Sequence, residues 1–469
     1  EIGIIAALRS SPNTPHFRAI VMIYTSYLFT LLVVVSTYQI EAWNLKPFRR
    51  SFRVFMSEES PENKVKSFNP REERRRILKT ENYNRLGFKD EKAEVKEIMS
   101  QEFTSPLVAE LRSNKGVLKR GDLTVRLAEF FGFCWGVERA IAMAYETKSH
   151  FPNKKIHITN EIIHNPEVNE RLKKMDIHFM DKGENGEKDF STIGSDEVVI
   201  LPAFGATIEE LQTLDKKGVQ IVDATCPWVS KVWNAVDSHR QTGKTSVIHG
   251  KYAHEETIAT ASYCDHYIIV KDLEEAEYVA KYIVEGGDKE EFMKKFEKAV
   301  SKGFDPDVHL KKVGLANQTT MYKRETKEIG RILEIAMLKK YGPQDLKEHY
   351  SEFDTICDAT QERQDAVTEL VQQKDLDFIL VVGGFDSSNT AHLKEIPEKF
   401  GVHSYHIDRA ERIRPDNTIE HRLTDGKIVI DKNFLKKGPM TIGITSGAST
   451  PDRSLEEALE RIFIMHKMI

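Results

Sequence analysis

Four cysteines occur in 469 residues, at 134, 226, 264 and 357, with no CxxC pair among them. Such spacing excludes a disulfide framework, whose cysteines crowd into a short chain. It favours a reduced compartment, where a sparse cysteine is a small buried apolar side chain, a ligand or a nucleophile. Taken singly each reads best as buried, but three of them share flanks that argue for more. The segment DLTVRLAEFFGF has a strand pattern and leads into Cys134, after which Val137, Ala140, Ile141 and Ala144 recur at helical spacing. VQIVDAT leads into Cys226, and PWVSKVWNAVDSHRQTG follows with proline where a helix start tolerates it and Gly243 as the stop. SEFDTI leads into Cys357, followed by the amphipathic DATQERQDAVTELVQQK, and Asp223 and Asp354 each stand three residues before their cysteine.

A thiolate at a helix N-terminus is stabilised by unpaired amides and the positive end of the helix dipole, by roughly 0.3–1 kcal/mol. Each junction therefore offers a metal ligand. Cys264, in TASYCDHYIIV, precedes a strand with no helix behind it and reads as a buried or free thiol. Three converging cysteines could hold zinc with a histidine as fourth ligand, or a 4Fe-4S cluster with one iron open. Spacing alone does not choose between them.

The elements that must position these residues alternate. Apolar runs ending in small polar residues occur at 198–207 (VVILPAFGAT), 246–256 (SVIHGKYAHEE), 313–320 (VGLANQTT), 378–390 (FILVVGGFDSSNT) and 440–450 (MTIGITSGAST). They read as parallel strands with ligand-facing C-terminal ends, and their alternation with helices predicts an α/β class of about three units. GGFDSSNT lacks the GK[ST] of a P-loop and no segment reads GxGxxG, so nucleotide binding is not supported. The net charge of −5, with both signs interspersed, leaves no polyanion footprint.

From Ala19 to Ile40 no charged residue appears, and Ala42 suits a signal-peptide cleavage point. WNLKPFRRSFRVFM then carries Lys46, Arg49, Arg50 and Arg53 without an acid, the composition of an organelle transit segment. Signal followed by transit predicts a plastid stroma reached through the secretory route, with a membrane anchor as the alternative. Residues 57–80 are charged and poor in large apolar side chains, which predicts a linker. Short helices are expected over about 91–112.

The segments GFCWGVERA, IIHNPEVN, DATCPWVSKV, HGKYAHEET, ANQTTM, DTICDATQERQ, SSNT and GITSGAS together resemble, in order, the signature motifs of the 4-hydroxy-3-methylbut-2-enyl diphosphate reductases, in wording closest to the plant and cyanobacterial branch. The resemblance covers about residues 80–467 and implies a trefoil of three similar α/β domains around one 4Fe-4S cluster with three cysteine ligands, matched by Cys134, Cys226 and Cys357. It implies reductive removal of an allylic hydroxyl, taken by the open iron, to give isopentenyl and dimethylallyl diphosphate. His164, His254, Ser387, Ser388, Asn389 and Ser449 match diphosphate-binding positions, Glu256 the proton source and Thr319 the hydroxyl that helps relay the proton. Enclosure should raise the pKa of Glu256. Ferredoxin is the implied electron donor, and the mature enzyme is expected not to be membrane-embedded.

Expected boundaries are 1–75 for targeting and linker, 76–122 for a helical extension, and 123–225, 226–356 and 357–469 for the three α/β domains. Two departures from the family stand out. PAFGAT places Phe204 where many bacterial members carry a histidine, and Lys251 is the candidate for compensating charge. The interval from Cys226 to Cys357 is 131 residues against 92 from Cys134 to Cys226, which predicts a surface helical excursion in the charged stretch 281–304. The competing classes are a zinc-dependent hydrolase of a phosphorylated small molecule and a purely electron-carrying iron–sulfur protein.

Overall fold

A computed structural model describes residues 68–180, 188–373 and 375–469, and the expected signal and transit segments lie outside them. Three sheets organise the unit Phe68–Ile469. The first is wholly parallel, in the order Tyr83–Asn84, Gln220–Asp223, Val198–Leu201, Ile156–Ile158, Ile177–Phe179. The second is also parallel, in the order Tyr350–Glu352, Val313–Asn317, Thr245–His249, Tyr267–Val270. The third runs Ser404–Ile407, Phe378–Val382, Met440–Ser446, Leu123–Leu127, Val117–Arg120, with only the last pair antiparallel. Central strands such as Phe378–Val382 and Val313–Asn317 are buried along their length, as expected of parallel sheets covered by helices on both faces. A small antiparallel sheet of Ile413–Arg414, Thr418–Arg422 and Ile428–Lys432 is appended to the third unit.

Each cysteine marks a passage from one sheet to the next. Leu123–Leu127 lies in the third sheet, yet the Trp135–His150 helix after Cys134 buries Ala140, Ile141 and Ala144 against Ile156, Ile158 and Ile200 of the first. Gln220–Asp223 belongs to the first sheet, and the Pro227–Gln241 helix after Cys226 packs on the second. Tyr350–Glu352 edges the second sheet, and the Asp358–Val371 helix after Cys357 covers Ile379 and Val381 of the third. The three crossings close a ring, which is the trefoil. They also relocate the strand before Cys134: it completes the third α/β unit instead of opening the first.

One other expectation changes and one is extended. Within 57–80, the part from Phe68 is not a linker: Pro70–Ile77 is a helix capped by Asn69, whose side chain accepts the amides of Arg71 and Glu72. It is held by fully buried Ile77 and by Arg71 Nη1 to Asp237 Oδ2 at 2.6 Å, so tertiary anchoring overrides the polar composition. The charged insertion is a surface helical excursion as expected, through Lys289–Lys295 with residues 285–291 exposed, but it also contributes to the core. Phe292 and Phe296 are 0% and 1% exposed, packed among Tyr282, Phe304 and the second sheet. Phe292→Ala should cost about 3–5 kcal/mol in reversible chemical denaturation, whereas a solvated excursion would lose almost nothing.

Candidate functional site

All eleven residues singled out from the sequence line one cavity: Cys134, Cys226, Cys357, His164, His254, Glu256, Thr319, Ser387, Ser388, Asn389 and Ser449. Cys264 is not among them; it packs between the hydrophobic clusters of the first and second units.

The three cysteines take the N-cap position of their helices with extended backbone and no capping hydrogen bond from the side chain. Helix amides therefore stay available to sulfur. The amides of Trp228 and Val229 face Cys226 Sγ, and those of Ala359 and Thr360 face Cys357 Sγ, each favouring the thiolate. Burial nevertheless pushes the Cys226 thiol up to about 11 and the Cys357 thiol up to about 12, with the neighbouring cysteines adding to the rise. Buried thiols facing one another in this way are costly to ionise unless a cationic centre sits between them, and a coordinating metal deprotonates thiols outright. Gly136 is required here, because a Cβ on it would lie 2.5 Å from Cys226 Sγ. The donor set fits an iron–sulfur group.

Beside the sulfurs, Glu256 is 2% exposed and accepts from the Thr319 amide at 2.6 Å and the Thr319 hydroxyl at 2.9 Å. Burial lifts its carboxyl to about 7, against the opposing pull of Thr319 and His164. Thr319 O in turn accepts the Cys357 amide at 3.2 Å, so the carboxyl is braced against the strand end that carries a cysteine.

On the other wall, His254 caps the Glu255–Ala261 helix, its Nδ1 accepting the Glu256 amide at 3.2 Å. That bond places the proton of the neutral ring on Nε2, and burial with His164 nearby holds the ring well below its ordinary pKa. His164 Nδ1 meets Glu161 Oε2 at 3.1 Å. His164 Nε2, Ser388 Oγ and Asn389 Nδ2 are buried without a hydrogen-bond partner. Asn389 Oδ1 accepts the Ala448 amide at 2.9 Å, which fixes its amide group so that the nitrogen is the unpaired end. Ser388 and Asn389 stand at the N-terminus of the twelve-residue Ser388–Lys399 helix, where amides and the helix dipole favour an anion, and His164 lines the same cavity. Ser449 Oγ donates to His164 O at 3.2 Å, and Gly384 admits the same carbonyl, since a Cβ there would sit 2.2 Å from it.

Phe204 stacks on His164, with centroids 4.2 Å apart, and meets His254 edge-on at 5.7 Å. It supplies no donor but holds both imidazoles. Lys251, with Lys394 and Arg422, lines an outer vestibule of about 580 Å³ that shares His164, His254, Ser387 and Ser388 with the inner cavity. That volume suits entry of a small molecule.

Sequence reasoning passed over Arg363 and Gln318. Arg363 is 5% exposed and donates Nη2 to Gly132 O at 2.7 Å and Nη1 to Ala359 O at 2.7 Å, tying the Cys134 loop to the Cys357 helix. Gln318 Oε1 accepts the Lys251 amide at 3.1 Å and the Thr257 hydroxyl at 3.2 Å, bracing the loop before His254. Both act on backbone far away in sequence, which no local spacing reveals.

The LytB protein family matches residues 125–463. The 4-hydroxy-3-methylbut-2-enyl diphosphate reductase of Nostoc sp. (strain PCC 7120 / SAG 25.82 / UTEX 2576) is 56% identical over 392 residues, spanning 84% of this chain and 97% of the relative. The reductase of the same description from Microcystis aeruginosa (strain NIES-843 / IAM M-2473) is 56% identical over 390 residues, 83% of this chain and 96% of that one. Among solved structures, the E-1-hydroxy-2-methyl-but-2-enyl-4-diphosphate reductase from Plasmodium falciparum superposes with a TM-score of 0.53 at 22% identity, covering 73% of this chain and 88% of that chain, a likeness of fold.

Proposed function

Because the chain belongs to the LytB family of 4-hydroxy-3-methylbut-2-enyl diphosphate reductases, we propose that it removes the allylic hydroxyl of (E)-4-hydroxy-3-methylbut-2-enyl diphosphate, giving isopentenyl and dimethylallyl diphosphate and water. This is the last step of the non-mevalonate, or methylerythritol phosphate, isoprenoid pathway. One observation carries the reading onto these residues: partnerless buried donors at a helix N-terminus share a cavity with three thiols and a carboxyl lifted to about 7.

Family members carry an iron–sulfur cluster, which when bound supplies a Lewis-acidic iron for the hydroxyl and a conduit for the two electrons. We infer that here it is one 4Fe-4S cluster held by Cys134, Cys226 and Cys357. His254 Nε2, Ser387, Ser388 and Asn389 then donate neutral hydrogen bonds to the diphosphate, which need no counter-charge buried in advance, while His164, paired with Glu161 through Nδ1, and Ser449 complete the same pocket. Glu256 keeps a proton near neutral pH and delivers it with Thr319 to the departing hydroxyl. Apolar walls of Val137, Ile163 and Phe204 exclude water from the allylic chain.

The zinc-hydrolase alternative gains no support. Among the described residues the cysteine sulfurs do not form a set within 4.8 Å of one another, the spread shared by His164, His254 and Glu255. One tetrahedral ion needs tighter sulfurs than that, and a multinuclear group does not. An anaerobic single turnover of the purified holoprotein tests the function. Isoprenyl diphosphate product is expected, alongside about four irons and four sulfides per chain, and absence of product refutes the assignment.

Lys251 should supply charge at the diphosphate's outer end, in place of a donor at Phe204. Its ammonium is held below its ordinary pKa by burial, partly offset by Glu395. Lys251→Ala is expected to raise KM roughly tenfold at low salt, with the gap closing as ionic strength rises. An unchanged KM across several salt concentrations removes Lys251 from the site.

The composition of residues 19–53 supports a plastid address, and that address supports ferredoxin as the electron donor. Among the described residues no helix is long and apolar enough to cross a membrane.

A further inference from the structure

A reductase must take its electrons from outside while substrate occupies the vestibule. That vestibule is lined by none of the cysteines and by no tryptophan. A different part of the surface comes close to the sulfurs. Trp135 follows Cys134 directly, begins its helix and is 58% exposed, an unusual position for so large an apolar ring. Its ring meets that of Trp228 edge-on at 6.0 Å, and Trp228 lines the cysteine cavity two residues after Cys226. The two indoles thus run from solvent to the ligand sulfurs.

Around them the charge is mostly positive. Arg139 donates Nη1 to Ala224 O at 3.3 Å and Thr225 O at 3.2 Å, and Nη2 to Arg85 O at 2.7 Å, which places it beside the Cys226 junction. Arg74 and Arg85 both reach Ser230 Oγ at 3.5 Å, and Lys231 next to it is exposed. Arg85 pairs with Asp223, but that carboxylate is only 1% exposed and presents little charge outward. Glu138 is the exposed acid on the Trp135 helix. Two of the three arginines come from residues 68–90, the segment docked on this face through Ile77 and Arg71.

We propose that this face, Trp135 within a rim of Arg74, Arg85, Arg139 and Lys231, is where a small acidic one-electron carrier protein of the ferredoxin class docks. The proposal rests on the reductase reading. Tryptophan and arginine are the side chains that carry binding energy at interfaces, and opposite charge speeds encounters that need only a small contact area. Each encounter oxidises one carrier and passes one electron inward. Two encounters supply the pair that, with one proton on the hydroxyl and one on the allylic carbon, gives water and the isoprenyl diphosphate. The N-terminal segment thereby gains a function: it furnishes part of the rim.

The test uses the anaerobic holoenzyme with a plant-type [2Fe-2S] ferredoxin as donor, and reduced methyl viologen, which needs no docking face, as the comparison. Trp135→Ala and Lys231→Glu are expected to lower ferredoxin-driven kcat/KM at least tenfold and to weaken binding of oxidised ferredoxin in calorimetry by a similar factor. Viologen-driven turnover and iron content stay unchanged. Ferredoxin kinetics and binding that match the unsubstituted enzyme overturn the docking face, as does an equal fall with both donors, which would place Trp135 in support of the cysteines. No viologen-driven turnover in the unsubstituted holoenzyme overturns the reductase reading and the proposal with it.

Discussion

Cys226→Ala is expected to yield a folded, nearly colourless protein with no measurable reductase turnover, while Cys264→Ala stays brown and active. The contrast follows from position. Cys226 caps its helix with free amides aimed at sulfur and faces the other two thiols across the cavity. Removing it leaves two sulfurs, and the close approach that Gly136 permits has nothing left to accommodate. Cys264 is as deeply buried, its thiol pushed up to about 12, but it packs among apolar side chains with Thr260 O, at 3.7 Å, and the Ser246 side chain as polar neighbours, and among the described residues neither helix amides nor a second sulfur face it. Burial raises both thiols, so pKa alone does not separate a ligand from a packed cysteine; the helix amides and the facing sulfurs do. Iron and sulfide analysis with the visible spectrum checks both variants. A Cys226→Ala protein that keeps about four irons would remove this residue from the ligand set.

The strand, cysteine and helix junctions were legible because their signals are local: an apolar run, a sharp break and amphipathic spacing. The five strand runs were legible for the same reason and appear as Val198–Leu201, Thr245–His249, Val313–Asn317, Phe378–Val382 and Met440–Ser446. Which sheet a strand joins was not legible. Leu123–Leu127 pairs with Met440–Ser446 more than three hundred residues away, and nothing in DLTVRL specifies that partner. Pro70–Ile77 was not legible because a buried isoleucine and two ion pairs, Arg71 with Asp237 and Arg76 with Asp215, all tertiary, decide its fate. The insertion carried a clue in Phe292 and Phe296, spaced four apart on one helix face amid lysines and glutamates. At the site, single residues were ambiguous and only their joint order pointed to one cavity. Arg363 and Gln318 escaped because they brace backbone across distances that spacing cannot encode.

Glu256→Gln should lower kcat by roughly 10²–10⁴-fold with little change in KM, the range lost when a positioned general acid is removed. Glutamine keeps the shape and can still accept the Thr319 amide, but it has no proton to give, so the loss would report chemistry and not packing. The pH dependence follows from the same burial. A carboxyl lifted to about 7 holds its proton below that pH and releases it above, so wild-type kcat should decline on the alkaline side and the Glu256→Gln residual rate should lack that limb. Stability should move in the same direction. Starting from an ordinary value of 4.5, the unfolded chain ionises this group first, so its contribution is intact below 4.5 and is lost as pH rises through about 7. Substrate strengthens the effect, since a bound diphosphate and an apolar chain both disfavour a carboxylate there. The alkaline limb should therefore shift upward in kcat relative to kcat/KM, because kcat reports the occupied site. Coincident limbs, or a Glu256→Gln enzyme that keeps the wild-type pH profile, would move the proton source to another residue on the cavity wall.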